Sequence, residues 1–368
     1  MQYRAVCLES FGYTLPQQIV TSAEIENRLA PLYERLKLPA GRLELITGIR
    51  ERRFWEPATT ASDISAQSAQ KAIDRAEIDP QCIGALVHGS VCRDHLEPAT
   101  ACRVHHLLGL SSDCQIYDVS NACLGLLNGM VQIANMIELG QIRAGLVVGT
   151  ENSLPLVEHT IDTLNRDDSL TRDAIKTAIA SLTIGSASCA ILLVDRELSR
   201  TDNRIMGGVS RAETNFHDLC QSGRDEAGAT MQPLMDTDSE ALLEAGIATG
   251  QRSFEEFLQR LSWDRTIIEK TFCHQVGTAH RKRMLQTLGL ELERDFSTVE
   301  FLGNTGSVAL PISMAIGIES GHLKKDDRVA LLGIGSGVKC LMLGVEWQEQ
   351  QGKTLSQAQP TSAISESR

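Results

Sequence analysis

Short apolar runs alternate with longer segments of helical periodicity along most of the chain. The runs are bounded by turn residues, as buried strands are, whereas the longer segments repeat apolar residues every three or four positions. In the first half the predicted strands are residues 83–88, 115–119, 145–148 and 188–194, and the predicted helices are 62–76 and 124–139. This alternation predicts an α/β fold.

The second half repeats the rhythm, with predicted strands at 271–274, 328–333 and 338–345 and predicted helices at 278–288 and 307–319. The sequence GSASCAILLV at 185–194 is echoed by GSGVKCLMLGV at 335–345, with one extra residue in the second copy. A duplicated unit explains this echo, although short apolar strands flanked by glycine also match by chance.

We therefore predict two related halves, 1–200 and 201–347, and a disordered polar tail at 348–368. Two charged insertions, about 151–180 and 214–257, are candidate lids over an active site.

Bulk composition excludes several classes of protein. A length of 368 residues is enough for a large buried core, and 42% hydrophobic with 22% charged residues is typical of a globular enzyme. No apolar run approaches the ~20 residues of a membrane span, and the N-terminal segment does not resemble a secretory signal, so we expect a cytoplasmic protein. A net charge of −12 argues against nucleic acid as a partner. Ten cysteines without zinc-like spacing predict reduced thiols and no metal.

The strongest chemical signal is the segment QIYDVSNACLGLLNGM at 115–130, which predicts a strand, a tight turn and an apolar helix beginning near Cys123. Backbone N–H groups and the helix dipole at such a position stabilise the reactive thiolate and can bind an oxyanion. The small residues Ala122 and Gly125 let the turn pack closely around the sulfur. An arbitrary cysteine is more often a buried structural residue, but this context favours a nucleophile.

Two further segments supply polar side chains at element ends. His274 closes a short apolar strand in FCHQVG, and Asn304 lies in the glycine-flanked turn FLGNTGS that opens an apolar helix. Taken singly, such a histidine is more often a hydrogen-bonded core residue, and such an asparagine a turn residue.

Together the three segments resemble the thiolase superfamily, in particular the ketoacyl-ACP synthase III branch, whose catalytic set is a cysteine, a His-Gln histidine and a Gly-Asn asparagine. The motifs TGIRERR at 47–53 and GIGSG at 333–337 also match this branch, and the resemblance covers about residues 1 to 347. Segments 90–100 and 331–337 are most similar to the OleA family, the acyl-CoA condensing enzymes of bacterial olefin biosynthesis.

The resemblance implies a five-layered αβαβα thiolase fold, a homodimer and a non-decarboxylative Claisen condensation of two fatty acyl-CoA molecules to a β-keto acid. Cys123 would carry the first acyl group, and His274 and Asn304 would help to form the carbanion of the second. Backbone N–H groups of Cys123 and Ser336 would hold the oxyanion. No metal or redox cofactor is implied, because coenzyme A enters as part of the substrate. Other olefin-forming enzymes are further partners that the resemblance suggests.

Glu97 departs from the ordinary synthase pattern, in which an apolar residue before a proline reaches the partner's acyl pocket. The OleA family shares this glutamate, and a carboxylate near an acyl tunnel suits a base that removes the α-proton of a non-malonyl substrate. The alternative is an exposed loop carboxylate before Pro98.

The residues that contact coenzyme A are less specific. Arg42 stands where the synthase branch commonly has a tryptophan against adenine. The basic clusters Arg50, Arg52 and Arg53, and Arg281, Lys282 and Arg283, are candidates for the phosphates or are solvated faces.

Three alternative functions stay open at this point: a ketoacyl-ACP synthase III using malonyl-ACP, a thiolase-fold acyltransferase with an alcohol or amine acceptor, and a noncatalytic thiolase-fold protein. The intact Cys, His and Asn set argues against the last. Glu97 favours OleA-like chemistry over the first two.

Overall fold

A computed structural model describes residues 1–172, 175–222 and 235–348. The strands of this part of the chain are β1 Val6–Thr14, β2 Gln18–Thr21, β3 Glu51–Phe54, β4 Ile83–His88, β5 Gln115–Asp118, β6 Ala144–Glu151, β7 Ala187–Asp195, β8 Arg204–Ala212, β9 Cys220–Ser222, β10 Met235–Thr237, β11 Lys270–Cys273, β12 Arg328–Gly335 and β13 Lys339–Glu346. The helices are α1 Ser22–Arg28, α2 Ala30–Leu36, α3 Arg42–Thr47, α4 Ala61–Ala76, α5 Thr100–Leu108, α6 Gly125–Glu138, α7 Leu154–Arg166, α8 Ile175–Leu182, α9 Ser239–Leu261, α10 Thr278–Leu288, α11 Val299–Leu302 and α12 Ala309–Glu319.

Nine strands form one sheet in the order β11-β12-β13-β8-β1-β7-β6-β4-β5. From its centre outward, β1 pairs antiparallel with β7, β7 antiparallel with β6, and β6 parallel with β4. On the other side of the centre the order of pairings is the same: β8 pairs antiparallel with β13, β13 antiparallel with β12, and β12 parallel with β11. The two repeats meet where Cys7 of β1 lies opposite Arg204 of β8. The two similar segments, 185–194 and 335–345, contain most of β7 and β13. These strands occupy equivalent positions in the two halves of the sheet, beside β1 and β8 respectively.

Two apolar helices lie between the two halves of the sheet. α6 packs on β6 and β7 and also reaches β12, where the side chains of Leu124 and Leu127 lie against Gly333. α12 contacts β1 and β7 on one side and β11 and β12 on the other. Its sequence, ALPISMAIGIE, is apolar on every face, as a helix buried on all sides must be.

The remaining long helices cover the outer faces. α4 and the strands beneath it share a core cluster in the first half, and α9 and α10 share another in the second half. These layers form the predicted αβαβα thiolase fold. The boundary near residue 200 stays a prediction.

A fourth apolar cluster joins helices α1, α2, α3, α7 and α8 beside the main core. Helices α7 and α8, which make up most of the first predicted lid segment, contribute apolar side chains to this cluster. The second lid segment is described only outside 223–234, and the predicted disordered tail lies almost entirely outside the described residues, beyond 348. None of the described helices has both the length and the apolarity that a membrane span requires.

Candidate active site

A cavity of about 1360 Å³ opens where the two halves of the molecule meet, and it brings together Cys123, His274, Asn304 and the loop at Ser336. Pockets for small ligands commonly measure about 300–1,000 Å³, so this cavity has room for long substrates. Apolar side chains from both predicted lid segments and from the core form much of its wall, among them Leu156, Ile179, Leu242, Leu243, Ile334 and Met342.

Cys123 lies in the turn between β5 and α6, two residues before the helix begins. The preceding residue, Ala122, has φ 48°, a left-handed conformation that is uncommon for a residue with a side chain. Such strain is characteristic of functional sites. Bonds from Leu124 N to Asn121 O at 3.0 Å and from Gly125 N to Ala122 O at 3.3 Å close the turn.

The protonation state of Cys123 differs from the expectation of a stabilised thiolate. Burial, and after it the negative charge of Glu151, raises the pKa of the Cys123 thiol to about 12. Backbone N–H groups of Ser336 and of Cys123 itself donate to the sulfur and lower its pKa, but burial outweighs them. The expectation was wrong because the helix end acts on a sulfur that is removed from water. At neutral pH the free protein therefore carries a thiol.

His274 directly follows β11, and its backbone N–H donates to Leu332 O at 3.1 Å, which extends the pairing with β12 by one residue. The side chain is 8% exposed, and neither ring nitrogen has a hydrogen-bond partner among the described residues. Burial, assisted by the nearby His280, lowers the pKa of His274 to about 4. The imidazole is therefore neutral at physiological pH and can accept a proton.

Asn304 is held at both ends of its backbone by the segment that leads into β7. Its N–H donates to Thr183 O, and its carbonyl accepts from Gly185 N, each at 2.9 Å. The side-chain oxygen accepts from Gly306 N at 3.0 Å, so the amide group presents its N–H donors to the cavity. The neighbouring Gly303 has φ 67°, and a Cβ there would lie 2.6 Å from Thr183 O, so this turn requires glycine.

Glu97 does not line the cavity of its own chain. Its side chain is exposed, although Val91, Cys92 and Arg93 earlier in the same loop do form part of the cavity wall. Within one chain the structure therefore does not bring Glu97 to Cys123.

The first predicted basic cluster, Arg50, Arg52 and Arg53, is also outside the cavity. Arg52 is fully buried, and its guanidinium donates to Ser22 Oγ at 3.0 Å and to Leu182 O at 3.1 Å. It faces protein, so a role in binding phosphate does not fit its position. Arg53 donates to Pro16 O, and the exposed Arg50 does not line the cavity. By contrast, Arg42 does line it.

The sequence reasoning did not identify Glu151, a buried residue of the cavity wall, as a site residue. Glu151 is the last residue of β6 and is only 5% exposed. The predicted strand ended at residue 148, whereas β6 continues through Gly149 and Thr150 to Glu151, so the sequence reasoning did not place this carboxylate at a strand end.

Comparison with known proteins agrees with this geometry. Residues 48–203 match the N-terminal domain of thiolase, and residues 258–347 match the C-terminal part of 3-oxoacyl-[acyl-carrier-protein] synthase III. A Shewanella oneidensis protein named acyl-CoA:acyl-CoA alkyltransferase is 42% identical over 94% of this chain and 100% of its own length. A Xanthomonas campestris protein of the same name is 35% identical over the same shares.

The chain belongs to the acyl-CoA:acyl-CoA alkyltransferase family. A solved structure of Xanthomonas campestris OleA, with one cysteine replaced by serine and with lauric acid and lauroyl-CoA bound, superposes with a TM-score of 0.88 at 34% identity, covering 94% of this chain and 100% of that one. Membership confirms the predicted resemblance, the thiolase fold and the class of acyltransferase-type condensing enzymes.

Proposed function

We propose that this enzyme joins two fatty acyl-CoA molecules without decarboxylation and releases a β-keto acid. The observation that carries the proposal is the convergence of Cys123, His274, Asn304 and the Ser336 N–H group on one large apolar cavity. The name of the relatives, and the lauroyl-CoA bound to OleA, support acyl-CoA as the substrate.

The first half-reaction loads Cys123. The neutral imidazole of His274 takes the thiol proton, and the sulfur attacks the acyl-CoA carbonyl. The tetrahedral oxyanion receives hydrogen bonds from the N–H groups of Cys123 and Ser336. Coenzyme A then leaves with the proton from His274, and the acyl group remains on the sulfur as a thioester.

The second half-reaction needs a carbanion. Asn304 and His274 donate hydrogen bonds to the thioester oxygen of a second acyl-CoA, which stabilises the enolate formed when a base removes its α-proton. The enolate carbon attacks the carbonyl of acyl-Cys123, and the Cys123 sulfur leaves and is reprotonated. Addition of water to the resulting β-ketoacyl-CoA, with loss of coenzyme A, gives the β-keto acid.

Glu97 of a partner subunit is the base in this proposal. Its position outside its own cavity agrees with this assignment, and β5 is the outer strand of the sheet, bonded on one side only to β4 among the described residues. Exposed apolar side chains lie nearby, with Leu96 at 55% and Leu107 at 46% exposure. An edge strand next to apolar surface favours pairing with a second copy, so we propose a homodimer through this face.

The residues that contact coenzyme A are assigned from their position relative to the cavity. Arg42, on the cavity wall, is better placed than Arg50, Arg52 or Arg53 to meet coenzyme A. The proposal requires no metal or redox cofactor. We also propose that the enzyme is cytoplasmic and takes part in olefin biosynthesis, together with enzymes that consume β-keto acids.

The test is product analysis by mass spectrometry with one long-chain acyl-CoA as the sole substrate, beside a Cys123→Ala control. The proposal predicts a β-keto acid, or the ketone left when it loses carbon dioxide, from the unmodified enzyme alone. Acylated Cys123 without condensed product, followed by condensation once malonyl-ACP is added, would instead establish a decarboxylating synthase.

A further inference from the structure

The buried carboxylate of Glu151 bridges two segments that are distant in sequence. Its Oε1 atom accepts hydrogen bonds from Val91 N at 3.1 Å, from Ser307 N at 3.3 Å and from Ser307 Oγ at 2.5 Å. Its Oε2 atom accepts from Cys92 N at 3.2 Å. Both oxygens are therefore occupied by donors, which argues against a role as a proton acceptor in the reaction.

The donors belong to the two segments that carry the groups for carbanion formation. Val91 and Cys92 begin the loop that leads to Glu97. Ser307 directly follows the Asn304 turn and precedes α12. Gly306, between Asn304 and Ser307, packs so closely that a Cβ there would lie 3.2 Å from Glu151 Cγ.

We propose that Glu151 is a positioning residue with two contacts: it fixes the Asn304 turn beside Cys123 of its own chain, and it fixes the start of the loop that carries Glu97 toward the cavity of the partner subunit. This inference rests on the proposed function, because both segments matter for condensation only if a carbanion is formed, with Asn304 acting in the cavity of its own chain and Glu97 in that of the partner subunit.

A second carboxylate fixes the other end of the loop but has no link to Asn304. Asp118, the last residue of β5, accepts from Thr100 N at 2.7 Å and from Ala101 N at 2.9 Å, where α5 begins. The two ends of the Glu97 loop are therefore each bound by a carboxylate at the end of a strand, Glu151 of β6 at one end and Asp118 of β5 at the other. Only Glu151 of this pair also bonds to the segment that carries Asn304.

Replacement by glutamine keeps the size of the side chain but removes its charge and turns one oxygen into a donor. That donor faces a backbone N–H whichever way the amide is turned, so at least one buried N–H loses its partner. The loop or the turn must then shift. A displacement of about 1 Å is enough to slow a reaction severely when geometry carries the catalysis.

Glu9 provides a matched control. It is 3% exposed, similar to Glu151, and accepts from a serine hydroxyl, Ser199 Oγ at 2.7 Å, and from a backbone group, Arg200 N at 3.0 Å. It is not part of the cavity wall. Glu9→Gln therefore makes the same chemical change in the same kind of environment, away from the reacting groups.

The experiment compares Glu151→Gln with Glu9→Gln in the full-length enzyme. Rapid mixing with acyl-CoA and intact-protein mass spectrometry give the rate of Cys123 acylation, and product analysis gives the rate of condensation. We expect Glu151→Gln to slow condensation about tenfold or more while acylation changes less than about threefold. Equal slowing of both steps, or the same small effect in both variants, would overturn the proposal.

A second readout does not depend on the overall reaction. Because Glu151 raises the pKa of the Cys123 thiol, Glu151→Gln should speed alkylation of Cys123 by iodoacetamide at pH 9 by roughly threefold, whereas Glu9→Gln should not. An unchanged rate would contradict the placement of the charge. If the unmodified enzyme makes no condensed product, the proposed function fails, but this readout still tests the position of Glu151.

Ser307→Ala keeps the proposal testable if Glu151→Gln does not fold. This variant removes one bond and leaves the carboxylate in place, so we expect slower condensation with an unchanged alkylation rate. Condensation at the unmodified rate would overturn the proposed link to Asn304.

Discussion

The backbone N–H group of Ser336 donates a hydrogen bond to the sulfur of Cys123, although 213 residues separate them in sequence, from position 123 to position 336. A Cβ on the adjacent Gly335 would lie 3.7 Å from Cys123 N, so the β12–β13 loop rests directly against the nucleophile. One donor of the proposed oxyanion hole therefore comes from each half of the duplicated fold. The site exists only when the two halves are packed together.

Replacement of Glu97 should separate the two half-reactions. We expect Glu97→Ala to acylate Cys123 at nearly the unmodified rate but to condense at least about a hundredfold more slowly, because no base remains for the weakly acidic α-proton. Intact-protein and product mass spectrometry measure both steps. Glu293→Ala, which removes another exposed carboxylate, is the control. Normal condensation by Glu97→Ala would exclude the assignment.

The thiol of Cys123 should react slowly in the free enzyme. Since its pKa is raised to about 12, alkylation by iodoacetamide should be slow at pH 7 and rise about tenfold per pH unit to beyond pH 9. Peptide mapping gives the rate at each cysteine, and the exposed Cys82 serves as an internal reference. If the alkylation rate of Cys123 instead levelled off below pH 8, the thiol pKa would be lower than predicted, and the helix end would lower it more than burial raises it.

His274 should make the protein less stable in mild acid. Its folded-state pKa of about 4 lies below the unfolded value near 6.5, so between these values the unfolded chain binds more protons, and stability falls as pH falls. The full shift corresponds to an upper bound of about 3 kcal/mol.

Replacement of His274 by a residue that does not titrate should remove this dependence. Urea unfolding at pH 7 and pH 4.5 should show a smaller loss of unfolding free energy for His274→Asn than for the unmodified protein. Equal losses in the two proteins would mean that the imidazole is protonated in the folded state as readily as in the unfolded chain.

The proposed dimer depends on the apolar surface beside β5. Leu107→Asp places a charge on an exposed site of α5, which a monomer tolerates and a buried interface does not. We expect the unmodified protein to scatter light as a dimer and the variant as a monomer that still acylates Cys123 but condenses poorly. Leu139→Asp, at a site 72% exposed after α6, is the control and should stay dimeric. A fully active monomer would contradict the role of Glu97 in a partner subunit.

Local patterns predicted the α/β class and the candidate segments of the site, and the resemblance to the thiolase superfamily supplied the layered fold and the roles of the site residues. The three catalytic candidates lie just outside regular elements: Cys123 two residues before α6, His274 directly after β11 and Asn304 two residues after α11. Strand, turn and helix signals close by in the sequence therefore indicated where each one lies. Helix α10 begins and ends where the apolar period predicted. The echo of glycine-flanked strands reflected a real repeat in the sheet, because equivalent positions impose equivalent packing.

The remaining features depend on contacts that are distant in sequence. Arg52 looked like an exposed cation in a basic run, but the strand turns it inward, where Ser22 and Leu182 bind its guanidinium. The partners of Glu151 lie 60 and 156 residues away, so no local pattern announces its role. The pKa of Cys123 was misjudged for the same reason, because burial is a property of the assembled cavity.

The stoichiometry of the reaction tests the central claim most directly. Supplied with a single acyl-CoA carrying ¹³C at the carbonyl carbon, the enzyme should form a β-keto acid with both the keto and the carboxyl carbon labelled and should release two coenzyme A molecules for each product. Early sampling is needed because β-keto acids lose carbon dioxide. Absence of product until malonyl-ACP is supplied, or a product with label in the keto carbon alone, would contradict non-decarboxylative condensation.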